Sequence, residues 1–178
     1  METTTIHPQV QQYQANQLRV DADFIKTVKN PILFRLFLLQ KLPMGFLAGL
    51  KVKSLSSEAC EITVPYKWLN KNPFRSTYFA VLAMAAEMSS GMLSMMGTYK
   101  SKPSVAALVT GIEAEFVKKA TGITTFSCLE GKRIRETIEE SIASGEGKTC
   151  TTISKGISAD GTVEAVFKVT WSFKARKS

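Results

Sequence analysis

Between Arg75 and Lys100 lie 24 residues that carry one charged side chain, Glu87. The run "STYFAVLAMAAEMSSGMLSMMGTY" is rich in Ala, Leu and Met and poor in β-branched residues, a composition that favours helix. A helix is expected from Phe74 to about Gly97. Because it is apolar nearly all round, it has no face for water and must be wrapped by something else. A bilayer is one wrapper, since the length matches its hydrocarbon core. A carboxylate at mid-membrane costs roughly 2.5 kcal/mol or more, however, and no second span is present to pair with it. A curved antiparallel sheet is the other wrapper, and it is the one expected here.

The rest of the chain supplies that sheet. "GLKVKSL" and "EACEITVP" alternate in polarity around "SSE" and predict two strands and a turn. Beyond Pro103 the alternation resumes, with Ala106, Leu108, Ile112, Ala114 and Phe116 on one parity, followed by "GITTFSCLE". "KRIRETIEESIA" sets Ile134, Ile138 and Ile142 at four-residue spacing and stops at Gly145, a short amphipathic helix. "KTCTTISKGIS" and "TVEAVFKVTWSFKA" then predict two more strands. In the last, Val163, Ala165, Phe167, Val169, Trp171 and Phe173 point one way, and Thr162, Glu164, Lys168, Thr170, Ser172 and Lys174 the other. The fold class is α+β.

Ahead of the sheet, residues 1 to about 15 are polar and aperiodic and are expected to form a loose tail that contains His7. One domain is expected over residues 16–178, beginning with a helical extension over 16–46. Phe24, Ile25 and Val28 share a face of its first helix, and Pro31 opens a second, "PILFRLFLLQKL". Lys26, Lys29, Arg35 and Lys41 flank this very apolar segment, which is too short to span a bilayer. Two roles fit it, a membrane-surface anchor or a cover for one end of the core, and the second is expected.

The chain carries 23 Lys and Arg against 15 Asp and Glu, a formal charge of +8 that favours anionic partners such as a phosphorylated small molecule. The basic residues are scattered and accompany no nucleic-acid-binding motif, so nucleic acid is not expected. Cys60, Cys128 and Cys150 are odd in number and far apart, and read as free thiols in strands. The N-terminus lacks the basic-then-apolar order of a signal peptide, which makes the cytoplasm the expected compartment. With His7 the sole histidine, neither a Ser-His-Asp nor a Cys-His arrangement is available, and no metal-ligand spacing is present.

Within the long helix, Ala80, Ala83, Met84, Glu87, Ser90, Gly91 and Ser94 share one stripe. A carboxylate among small residues marks either the exposed edge of a helix or the wall of a cavity. In a cavity, desolvation would raise its pKa and make it a general base or nucleophile near neutral pH.

"NKNPFRSTYFAVLAMAAEMSSGM" resembles the central-helix signature of hotdog-fold thioesterases of the phenylacetate-pathway type, in which an Asn precedes the helix, His-Gly-Gly opens it and an acid follows. At that spacing Asn72 falls on the Asn, Tyr78-Phe79-Ala80 on His-Gly-Gly, and Glu87 on the acid. The segment "LPMGFLAGLKV" looks like a less-characterised branch of the superfamily.

The resemblance implies a hotdog domain that hydrolyses acyl-coenzyme A as a homodimer or homotetramer, with sites at the subunit interface and no cofactor beyond the coenzyme A of the substrate. It implies that Glu87 activates water or attacks the carbonyl, that Asn72 orients water or substrate, and that Phe79 and Ala80 N–H groups polarise the thioester. Tyr78, Ser90 and Gly91 would line the substrate site. Lys118, Lys119, Lys132, Arg133 and Arg135 are candidates for the coenzyme A phosphates. Tyr78-Phe79-Ala80 departs from His-Gly-Gly, and its bulk narrows the approach to the backbone. A non-catalytic acyl-binding domain is therefore the alternative.

Overall fold

The computed structural model describes residues 7–176 and opens with three helices, α1 (Pro8–Lys29), α2 (Pro31–Lys41) and α3 (Pro43–Ala48). A proline stands at the start of each, where its missing N–H costs nothing. Strands β1 (Lys51–Leu55) and β2 (Cys60–Val64) follow, then α4 (Phe79–Thr98), β3 (Val105–Phe116), β4 (Thr124–Cys128), α5 (Gly131–Ser144), β5 (Lys148–Ile157) and β6 (Val163–Ala175). The strands form one antiparallel sheet in the order β1-β2-β4-β5-β6-β3.

The sheet curves around α4, which has the length and hydropathy of a membrane span but serves here as the core helix. Ala85, Ala86, Ser89 and Ser90 are wholly buried. The hydroxyls on this helix are mostly satisfied locally: Ser89 donates to Ala86 O and meets Ser154 Oγ at 2.7 Å. Phe126 from β4 lies flat against Gly156 of β5, where a Cβ would come within 2.5 Å of the ring. This is the hotdog fold that the resemblance implies. The three cysteines are free and buried in strands, as expected.

Four details differ from the sequence expectations. Residues 8–15 are helical, and α1 runs from Pro8 with the His7 imidazole accepting from Gln9 N–H as its cap. Val10, Tyr13, Gln17, Val20, Phe24 and Val28 form its buried stripe, which the surface glutamines between them disguise. Residues 1–6 of the expected tail lie outside the described residues.

The long helix starts at Phe79 and not at Phe74. Residues 71–77 close a tight loop in which Arg75 takes left-handed backbone (φ 59°) and Lys71 bridges Thr77. On β3, a bulge between Val109 and Gly111 switches the parity, so Leu108, opposite Ser172, faces outward while Ile112, Ala114 and Phe116 face the core side. Glu164, expected on the solvent face of β6, is buried at the segment between β3 and β4: its backbone oxygen accepts from Val117 and Lys118 N–H, and Thr124 Oγ1 donates to its carboxylate at 2.6 Å.

Candidate active site

Glu87 stands at the middle of α4, which sets its carboxylate against Gly91 one turn on. A Cβ at Gly91 would lie 2.9 Å from Glu87 Oε1 and 3.5 Å from the Trp171 ring, so a glycine there makes room for the acid. Glu87 makes no hydrogen bond or ion pair through its carboxylate among the described residues, and burial pushes its pKa above the ordinary carboxylate range. The carboxylate borders a cavity of about 480 Å³ that Phe37, Lys41, Gly91, Ser94, Trp171 and Arg176 also line. Of the two alternatives left open for Glu87, the structure shows the cavity wall.

Ser94 reaches the same cavity, is only 1% exposed, and has no partner for its hydroxyl among the described residues. Ser90 is used differently: it donates to Glu87 O and accepts from Trp171 Nε1 at 3.0 Å. It thereby fixes the indole that walls the cavity and does not itself line it. Phe37, Met92 and Met95 also wall a second, apolar cavity of about 210 Å³ between α4 and the first two helices. Phe24, Val28, Leu33 and Phe34 line it.

The remaining expected residues gather at the start of α4. Asn72, Tyr78 and Phe79 line a separate cavity of about 510 Å³ with Phe116, Lys118 and Lys119. Asn72 Oδ1 accepts from the backbone N–H groups of Phe74 and Ser76 at 3.0 and 3.1 Å, so this side chain shapes its own loop. Phe79 and Ala80 N–H groups make no hydrogen bond among the described residues, leaving two donors at the positive end of a 20-residue helix. Tyr78 and Phe79 are about half exposed and meet edge to face at 4.8 Å. Ala80 sits beside them on α4 and lines neither cavity.

Within one chain the acid and the helix start are therefore apart: Glu87 lies eight positions after Phe79, roughly 12 Å along the axis. Of the basic candidates, only Lys118 and Lys119 border a cavity. Arg135 is held by Asp21 at 2.6 Å, Arg133 by Glu130 and Lys132 by Glu136, all on or against α5. Those three are engaged elsewhere because α5 packs against α1 and the sheet, away from the cavities. The sequence marked Ser94 only as one of a stripe and Lys41 only as a cation flanking α2, and gave no signal for Arg176; Lys41 and Arg176 reach the cavity from segments 135 positions apart.

Residues 30–143, more than half of the chain, match the family described as "Domain of unknown function (DUF4442)". The chain belongs to the DUF4442 family. No curated protein matches it by sequence. Among solved structures, this DUF4442 chain is similar to protein PA5026 of Pseudomonas aeruginosa, named a protein of unknown function and "Probable Thioesterase", with 20% identity and a TM-score of 0.70 over 82% of this chain and 97% of that one. A protein of unknown function from Chlorobaculum tepidum shares 13% identity at a TM-score of 0.68, covering 90% and 97% of the two chains. The Pseudomonas aeruginosa thioesterase PA1618, solved as a mutant, shares 16% identity at 0.63, covering 83% and 96%. At these identities the likeness shows the shared fold, and the chemistry of the DUF4442 chain has to be argued from its own side chains.

Proposed function

We propose that this protein hydrolyses acyl thioesters, with Glu87 as the acid that activates water or attacks the carbonyl. The observation that carries the proposal is an unpaired carboxylate, raised in pKa by burial, at the wall of a cavity that adjoins an apolar chamber across Phe37, Met92 and Met95. A desolvated carboxylate of this kind is a competent base or nucleophile near neutral pH. Cavity and chamber together match an elongated apolar acyl group with its thioester end at Glu87. Ser94, with its free hydroxyl, would bind the thioester or the attacking water. Thioesterase names among the structural neighbours support the same chemistry.

The reaction needs donors for the developing oxyanion; beside Glu87 one chain supplies the Ser94 hydroxyl and the Lys41 and Arg176 side chains, but no helix start. The free Phe79 and Ala80 N–H groups are such donors, and a second copy would bring them to Glu87. Two features favour that homodimer. Strand β3 is an open edge of twelve residues, paired only with β6. Ile112 and Phe116 face the core side of the sheet yet are about half exposed, with Phe116 meeting the Phe79 ring of α4 edge to face. In that assembly Lys118 and Lys119, beside the start of α4, would receive the phosphates of coenzyme A. The spacing of Asn72, Tyr78-Phe79-Ala80 and Glu87 supports a kinship with the phenylacetate-pathway type within the hotdog proteins.

Thiol release from short, long and aromatic acyl-coenzyme A substrates tests the proposal. Hydrolysis is expected, with Glu87→Gln reducing kcat by about 10²–10⁴-fold, the usual contribution of a positioned acid or base. Full activity in that variant would remove Glu87 from the mechanism. A second function, acyl binding without turnover, is favoured by one observation: Tyr78 and Phe79 crowd the helix start where small residues would let the thioester approach. Tight binding of acyl-coenzyme A with no thiol release would establish it.

A further inference from the structure

Helix α2 has two apolar faces, and the core uses only one. Phe34 and Leu38 are buried, while Ile32, Leu36 and Leu39, at positions i, i+4 and i+7, form a stripe on the opposite side with exposures of 70%, 50% and 51%. Helix α3 extends the patch with Met44 and Leu47, 61% and 50% exposed. Single exposed apolar residues are ordinary, but five on two consecutive short helices form a contiguous patch of the kind that marks an interaction surface.

The charge around this patch is one-sided. From Phe24 to Ser57 the chain holds six basic residues and no acidic one. Four of them, Lys26, Lys29, Arg35 and Lys41, are exposed and make no ion pair among the described residues; Lys41 lines the Glu87 cavity, and the other three stand on α1 and α2. The Arg35 guanidinium lies over the Phe46 ring, 4.5 Å from its centroid, which holds the cation along the apolar surface. An apolar face rimmed by unpaired cations complements a lipid surface that carries negative headgroups.

We propose that the outer face of α2 and α3 docks on an anionic lipid bilayer, with Ile32, Leu36, Leu39, Met44 and Leu47 entering the headgroup boundary and Lys26, Lys29 and Arg35 meeting the headgroups. At 11 residues α2 is about 16 Å long, so it lies in the interface plane and does not cross. The proposal stands apart from the thioesterase function, because none of these five apolar residues borders the Glu87 cavity or its apolar chamber.

Co-sedimentation of the full chain with vesicles tests it, using phosphatidylcholine alone and an equal mixture of phosphatidylcholine and phosphatidylglycerol. Binding to the mixed vesicles is expected, with little to the neutral ones. The triple variant Ile32→Ser, Leu36→Ser, Leu39→Ser should lose that binding by at least tenfold while keeping its circular dichroism and thermal midpoint, since all three side chains already face water. Lys26→Gln with Lys29→Gln should weaken it on the order of fivefold per cation removed. Glu87→Gln should bind vesicles like the parent, whether or not it has lost hydrolysis. Binding to neither vesicle, or equally to both, would overturn the proposal. So would an oligomer that the triple variant dissociates while vesicle binding stays absent, which would assign the face to a second copy of the chain.

Discussion

The two ends of α4 are finished in different ways. At the C-terminal end, α1 crosses the helix and satisfies two of its last carbonyls: Tyr13 donates to Gly97 O at 2.9 Å and Gln17 to Met96 O at 2.7 Å, while Asn16 donates to Lys100 O just beyond it at 3.0 Å. Tyr13 is wholly buried there, and its hydroxyl is pushed above the usual phenol range by that burial. At the N-terminal end, Phe79 and Ala80 N–H groups are free, Tyr78 and Phe79 face solvent, and Phe116 is half uncovered. One end is closed by the chain's own side chains. The other leaves two backbone donors and an aromatic surface uncovered among the described residues.

The sharpest way to break this contrast is at the closed end. Tyr13→Ala removes a fully buried aromatic ring and orphans a carbonyl, and should cost about 3–5 kcal/mol in urea unfolding. Tyr13→Phe removes only the hydroxyl and should cost about 1–3 kcal/mol. At the open end, Phe116→Ser should cost the isolated chain about 1 kcal/mol, yet shift sedimentation from dimer to monomer and abolish thiol release with it. A stable monomer in the parent protein would sink the shared site.

Glu87→Gln sharpens the comparison through pH. Burial raises the folded-state pKa of Glu87 above its unfolded value, so the folded chain binds the proton more readily and the penalty for burying the charge is absent at acid pH. That penalty grows as pH rises through the ordinary carboxylate range and is complete above the raised value. The variant, which carries no charge, should therefore melt above the parent at neutral pH, with the difference vanishing as pH falls below the carboxylate range. A difference independent of pH would mean that Glu87 is not desolvated. The smallest effect is expected at Ser94→Ala, which deletes a hydroxyl that lacks a partner. Stability should change by about 0.5 kcal/mol or less, while KM rises if the hydroxyl binds substrate.

Periodicity made much of this fold legible. The body of the wrapped helix, the inward residues of β6 from Ala165 to Phe173 and the α5 stripe of Ile134, Ile138 and Ile142 are local patterns, and each appears where the spacing places it. Where the sequence misled, a single residue had changed the meaning of its neighbours. The β3 bulge at Val109–Gly111 reverses the faces of everything before it, and the Asn72 loop delays α4 by five residues. The disguised stripe of α1 failed for another reason, since its buried members Tyr13 and Gln17 become apolar-facing only when the end of α4 offers them carbonyls.

By itself the sequence determined that a nearly uncharged helix had to be enclosed by a sheet, and that its one acid was Glu87. Those conclusions follow from the cost of exposing apolar surface and of burying charge, which depend on composition and spacing alone. Tertiary structure decided that Glu87 borders a cavity, that Ser90 serves Trp171 while Ser94 stays free, and that Asn72 and Phe79 lie in a different cavity from the acid. These are relations between elements distant along the chain, such as Lys41 and Arg176 meeting beside one cavity, and no local pattern encodes a distance between them.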